Sequence, residues 1–336
     1  MPMYKNYYSS IALILFALSA YSHASLEQPA LQNIRQITFP SMGFEKAGES
    51  YFSPDGKTLL FQAVPTGKKQ YQIYSIDIEK GEPRLISTGR GACTCAFFRP
   101  DGKKIIFASS HEAPDTTDFQ NAPGYQRENN TYQWDFTPYM NIYEANPDGS
   151  DLKALTSGPA YDAECAYSPD GSRIVFASNR SGHMNLYTMA ADGSDIQQVT
   201  HTTASYNGGP FFSPDGTQII YRADYEKQHY LQIYCIDIHG MHTQQITMNG
   251  AVNWAPFWHP NGKVVAFTTS LHGHAQYELY LINSNTGASY RLTHNASFDG
   301  LPSFNKGGTQ ITWTSKRGPD QTCQIFVADF MLPDIL

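Results

Sequence analysis

The sequence predicts an all-β chain, a six-bladed β-propeller with four strands per blade, and three observations predict it. The first is a recurring turn: Ser53-Pro54-Asp55-Gly56, Arg99-Pro100-Asp101-Gly102, Ser168-Pro169-Asp170-Gly171, Ser213-Pro214-Asp215-Gly216 and His259-Pro260-Asn261-Gly262, with a worn copy at Asn305-Lys306-Gly307-Gly308. Proline presets φ in such a turn and glycine accepts positive φ. The second is spacing: the Asp position falls at 55, 101, 170, 215, 261 and 307, giving steps of 46, 69, 45, 46 and 46. The third is composition, with 16% charged and 13% aromatic residues, 26 Gly and 20 Pro, which suits many short strands joined by turns.

Each copy repeats one grammar. Aromatic residues precede the turn, as in Tyr51-Phe52, Phe97-Phe98, Phe211-Phe212 and Phe257-Trp258. An apolar strand follows, then a third strand holding an apolar-aromatic pair such as Leu186-Tyr187, then a short fourth ending in an apolar-hydroxyl pair such as Val199-Thr200. Four strands in about 45 residues make one propeller blade. A helical solenoid is excluded, because no stretch of useful length has 3.6-residue periodicity and Pro-Asp-Gly sits mid-repeat. The last copy stops after its third strand, and Asn33 to Thr38 matches a fourth strand. The N-terminal strand is therefore expected to complete the last blade and close the ring.

At the amino terminus, Lys5, the apolar run Ile11–Ala20 and Ser22-His23-Ala24 read as a secretory signal peptide over residues 1–24. The run is too short for a permanent membrane anchor. The propeller is expected over residues 25–336, periplasmic or secreted, with no integral membrane segment after signal cleavage. The net charge of −7 and the absence of a basic run exclude nucleic acid as a natural partner. Five cysteines do not make a disulfide framework in a chain this large.

The repeat Phe-Ser-Pro-Asp-Gly-x-x-Ile-x-Phe, with Ser178-Asn179-Arg180, Leu186-Tyr187 and Asp192-Gly193-Ser194, resembles the propeller repeats of the TolB-like family. The resemblance covers residues 31–330 and implies an exported, stand-alone member in which the propeller follows the signal directly. It carries no function by itself.

Aligning the blades on the turn Asp locates candidate site residues. Eight residues before it stand Ala47, Cys93, Asp162, Asn207, Asn253 and Asp299; six before it stand Glu49, Cys95, Glu164, Gly209, Ala255 and Leu301. Residues two apart on an extended strand share a side. Glu49, Asp162, Glu164, Asn207, Asn253 and Asp299 are therefore expected to ring the channel mouth as a ligand site. Hard oxygen ligands suit Ca²⁺ or another divalent cation, with Asp162, Glu164 and Asp299 as the metal set. The competing reading makes these Asp and Asn residues caps of the turns leading into each first strand. Arg222 replaces the small residues of other blades (Ala108, Ala177, Thr268, Thr314) and is expected to pair with a channel carboxylate or a ligand.

The long step marks an insertion, residues 112–139, in the second blade. Its aromatics, including Tyr125, Tyr132, Trp134 and Phe136, are expected to form a lid on the same face or a packed flap. His272-Gly273-His274 has no third ligand at a recognised zinc spacing. Cys93, Cys95 and Cys165 are expected close together, as a disulfide or as buried thiols. No nucleophile elbow, zinc-protease motif or phosphate loop occurs. Three functions remain open: a binding scaffold for a periplasmic protein, peptide or glycan; a divalent-metal-assisted glycan lyase or hydrolase with Glu49 and Glu164 as acid and base; and a Tol-Pal-related envelope component.

Overall fold

Six four-stranded antiparallel sheets form the ring, one for each copy of the repeat. The computed structural model describes residues 26–27, 29–114, 126–128, 131–133 and 136–336. The expected signal peptide, Tyr125 and Trp134 lie outside these residues. Blade one is built from Phe44–Phe52, Thr58–Pro65, Gln72–Asp77 and Pro83–Leu85, running from the channel outward. Blade three, from Asp162–Tyr167, Arg173–Ser178, Asn185–Ala190 and Gln197–Gln198, follows the same order, and the other blades match it. Blade six takes its outer strand from the other end of the chain. Leu31–Gln36 pairs antiparallel with Gln324–Phe330, so the ring closes as the repeat count requires.

The sequence grammar has a physical cause at each point. In the turn, Asp55 accepts the Ser53 hydroxyl at 2.6 Å and the Lys57 amide at 3.1 Å, while Gly56 takes φ 73°. The Ser53 hydroxyl holds the Asp55 carboxyl below the usual range. The hydroxyl that ends each fourth strand accepts the amide of the residue at the third strand's start. Ser87, Thr156, Thr200, Thr247, Thr293 and Thr38 do so for Ile73, Ile142, Leu186, Ile233, Leu279 and Ile325, at 2.8–3.0 Å. The outer strand of every blade is locked by the same bond. Apolar residues of the second and third strands, among them Phe61, Phe107, Phe176 and Trp313, are fully buried between blades and supply the core.

In blade two the insertion lies between Ile105–Ser109 and Asn141–Ala145, and it contains a hairpin of Gln126–Glu128 with Thr131–Gln133. Tyr132 falls in that hairpin.

Candidate functional site at the channel mouth

Every inner strand carries a β-bulge at the same place. The register slips between Gly48 and Ser50, Thr94 and Phe97, Ala163 and Ala166, Gly208 and Phe211, Trp254 and Phe257, and Gly300 and Ser303. The residue six before the turn sits in the bulge with left-handed backbone: Glu49 at φ 48°, Cys95 and Glu164 at 56°, Gly209 at 59°, Ala255 at 50° and Leu301 at 59°. Five of these six are not glycine, and each pays about 1–2 kcal/mol for that conformation.

At four of the six positions the bulge amide bonds the preceding blade. The bulge amide of Glu49 donates to Thr314 Oγ1 (3.0 Å), that of Cys95 to Gln62 Oε1 (3.1 Å), that of Gly209 to Glu164 Oε2 (2.7 Å) and that of Leu301 to Thr268 Oγ1 (3.0 Å).

The bulge corrects the expected ring. With one extra residue between them, the positions eight and six before the turn no longer share a side. The structure brings Glu49 and Glu164 to the cavity and places Asp162, Asn207, Asn253 and Asp299 outside its lining, fully buried within the blades. Asp162 accepts the Ser178 hydroxyl and pairs with Arg180 at 2.8 Å; Asp299 accepts Trp313 Nε1 at 3.0 Å and pairs with Arg317 at 2.8 Å. Asn207 bonds Met184, Thr202 and the Tyr225 hydroxyl, and Asn253 bonds Gln232 and Asn249. The metal set of Asp162, Glu164 and Asp299 is likewise divided among three arginines. Among the described residues no three His, Cys, Asp or Glu side chains gather as a metal site.

The cavity has a volume of about 100 Å³ and draws on all six blades. Its floor is aromatic. Tyr51 of blade one lies 5.7 Å from Phe211 of the opposite blade, ring centre to ring centre, with Phe97 at 5.2 Å and Phe257 at 5.9 Å from Tyr51. These four rings meet across the axis, with Tyr51 and Phe211 lining the cavity and Phe97 and Phe257 packed against them, and we call the cavity above them the cup. Above them sit the charged groups of the lining, Glu49, Glu164 and Arg222.

Arg222 is held tightly. It forms a short ion pair with Glu164, donates to the Tyr206 hydroxyl at 2.8 Å and lies over the Tyr206 ring. Both ion-pair partners are nearly enclosed, with side chains 6% and 12% exposed. Gly208 and Gly209 make room for the assembly: a Cβ on Gly208 would strike Tyr206 and Glu164, and one on Gly209 would strike Arg222. The Gly-Gly pair in blade four is the sequence signal for this crowding, and Tyr206 gave none. Glu49 accepts the Tyr51 hydroxyl at 3.2 Å, and burial raises its carboxyl above the usual range.

The rim carries Tyr71, Tyr161 and Trp254. Phe136, at the base of the insertion, stacks on Tyr206 (6.1 Å, interplanar 15°) and meets Tyr161 edge-on at 5.4 Å, so the insertion does leave blade two on this face.

The cysteines are free thiols. Cys165 Sγ lies 3.7 Å from the Cys95 carbonyl oxygen, and Cys93 contacts Ser109 Oγ at 3.1 Å, which in turn meets His111 Nδ1 at 2.8 Å. Burial pushes the Cys93 thiol up to about 11, away from the range of an activated thiolate. His272 and His274 bond Tyr280 and Tyr277 instead of each other.

Comparison with known proteins agrees with this architecture. The chain is 28% identical over 171 residues to the Tol-Pal system protein TolB of Francisella tularensis subsp. mediasiatica, which is 51% of this chain and 33% of that one. It spans about half or less of the length of the curated relatives it matches. Among solved structures, the putative TolB from Agrobacterium tumefaciens superposes with a TM-score of 0.59 at 20% identity, covering 85% of this chain and 91% of that one. The oligogalacturonate lyase from Vibrio parahaemolyticus superposes with a TM-score of 0.55 at 15% identity, covering 90% and 94%. At these identities the two likenesses concern the fold alone. The TolB beta propeller domain profile (PD40) matches residues 137–229 and 209–332, more than half of the sequence, and the chain is a member of the TolB β-propeller family.

Proposed function

We propose that this propeller is an exported binding module that receives a segment of a periplasmic partner protein in the cup at its channel mouth. The observation that carries the reading is the aromatic cluster at the axis: Tyr51 and Phe211 line the cavity and Phe97 and Phe257 pack against them, which offers an apolar seat to what enters it. The floor and rim offer apolar and aromatic surface for a side chain, with a few oriented polar groups around it, the usual make-up of a recognition pocket. The charged lining, two carboxylates against one arginine, favours a segment carrying a lysine or arginine and disfavours a polyanion. The signal-like N-terminal segment and the TolB relatives support the periplasmic setting.

The test is photo-crosslinking in cells, with a benzophenone amino acid at Thr94 on the cavity wall or at exposed Gln244 on the outer edge of blade four. The reading predicts a discrete adduct from position 94 that is absent from position 244. Equal labelling at both positions, or none at position 94, contradicts it.

A glycan-cleaving reading draws on one observation, the partly buried Glu49 lining the same cavity as an ion-paired Glu164. It predicts that Glu49→Gln abolishes turnover of a neutral oligosaccharide. An oligosaccharide screen in which wild-type protein turns over nothing removes it.

A further inference from the structure

We propose a second binding site, an arginine clamp at the blade-two to blade-three junction that takes a carboxylate side chain from a segment of another protein. The chain displays the occupied form of this site in blade six. There Arg317 rests on Trp313 and Phe326, donates from Nε to Ser315 Oγ at 3.2 Å, and pairs with Asp299 at 2.8 Å. The rest of its fork holds Glu27, through Nη1 and Nη2 at 3.1 Å each, and the His294 amide donates to the same carboxylate at 2.9 Å. Glu27 comes from outside the repeat, on the segment that precedes the first strand, and docks there as a ligand would.

Blade three repeats the clamp part for part. Arg180 rests on Phe176 and Tyr187, donates from Nε to Ser178 Oγ at 3.1 Å, and pairs with Asp162 at 2.8 Å. The spacings are the same: Ser157, Asp162, Ser178 and Arg180 stand to one another in the chain as His294, Asp299, Ser315 and Arg317 do. Among the described residues no carboxylate takes the place of Glu27. Arg180 is accordingly 27% exposed where Arg317 is 9% exposed, and Ser157 is exposed as well.

A guanidinium already fixed by a buried aspartate, a serine and two ring faces has lost its rotamer freedom before a ligand arrives. Its planar fork matches a carboxylate in bidentate geometry. The occupant is defined by the copy: a glutamate or aspartate on a partner segment, with its carboxylate shared between Arg180 and the Ser157 amide. This site lies within the blade wall and makes no use of the Glu49, Glu164 and Arg222 assembly.

The experiment titrates the mature protein with the acetylated, amidated peptide Leu-Glu-Gln-Pro, which copies residues 26–29, and with Leu-Gln-Gln-Pro as control. Binding is followed by calorimetry and by the arginine Nε–H NMR signals. One site is expected for the glutamate peptide, with the Arg180 signal shifting, and about tenfold weaker binding for the glutamine peptide. Arg180→Lys, which keeps the charge beside Asp162 but loses the fork, is expected to abolish the site. Glu27→Gln vacates the blade-six clamp and is expected to raise the number of sites from one to two. Equal binding of the two peptides, unchanged binding by Arg180→Lys, or no glutamate-peptide binding by wild-type protein overturns the proposal.

Discussion

Two positions on each inner strand, two residues apart, have opposite fates. Eight residues before the turn, Asp162, Asn207, Asn253 and Asp299 are sealed inside the blades, the two aspartates paired with arginines and the two asparagines hydrogen-bonded to nearby side chains. Six before it, Glu49, Glu164 and Gly209 line an open cup with Arg222. One bulge per strand separates them. The difference teaches that the inner strands of this propeller carry two layers of polar chemistry, one that holds blades together and one that faces a ligand. Side-chain alternation alone assigns a residue to the wrong layer.

The largest expected effect lies in the sealed layer. Arg317→Ala strands the buried Asp299 and Glu27 without a counter-charge and is expected to cost about 3–5 kcal/mol in urea unfolding. Arg180→Ala, at the more exposed copy, should cost less. Equal losses would break the distinction drawn between the two clamps. In the cup layer, Gly209→Ala puts a Cβ where Arg222 sits and forces a non-glycine residue into left-handed backbone. It is expected to cost about 1–3 kcal/mol, and far-UV circular dichroism should show the propeller intact.

A smaller, pH-dependent effect concerns Glu278. Burial raises its carboxyl to about 7, against the Thr293 hydroxyl and Arg291, which favour its charged form. An acid whose pKa is higher in the folded state binds its proton more tightly there. Its contribution is thus present at low pH and is lost as pH rises from about 4.5 to about 7. Blades one, four and six carry Gln72, Gln232 and Gln324 at this position. Glu278→Gln should remove that loss and raise the melting temperature at pH 8 by a few degrees, more than at pH 5. An equal change at both pH values contradicts the assignment. The smallest expected effect is that of Ca²⁺: with Asp162, Glu164 and Asp299 each engaged by a different arginine, millimolar calcium should leave the melting temperature unchanged.

The fold was legible because each blade repeats its turn, its apolar strand and its closing hydroxyl, and because the missing outer strand stood visibly at the N-terminus. Arg222 was legible as a departure from its small counterparts, and its carboxylate partner follows from the expected pairing. The bulge was not legible. Left-handed backbone normally announces itself through Gly or Asn, and here Glu, Cys, Ala and Leu adopt it; the bonds from Glu49, Cys95 and Leu301 to the preceding blade are encoded by no local pattern. Glu27 was hidden for a related reason: its partner Arg317 lies 290 residues away.

The most direct test of the two-layer account is a pair of double-mutant cycles, measured by urea unfolding, combining Arg222→Gln with Glu164→Gln and with Asp162→Asn. The account predicts a coupling of at least about 1 kcal/mol between Arg222 and Glu164, and additivity within about 0.5 kcal/mol between Arg222 and Asp162. Strong coupling of Arg222 to Asp162 would mean that both carboxylates face the channel together, and would contradict it.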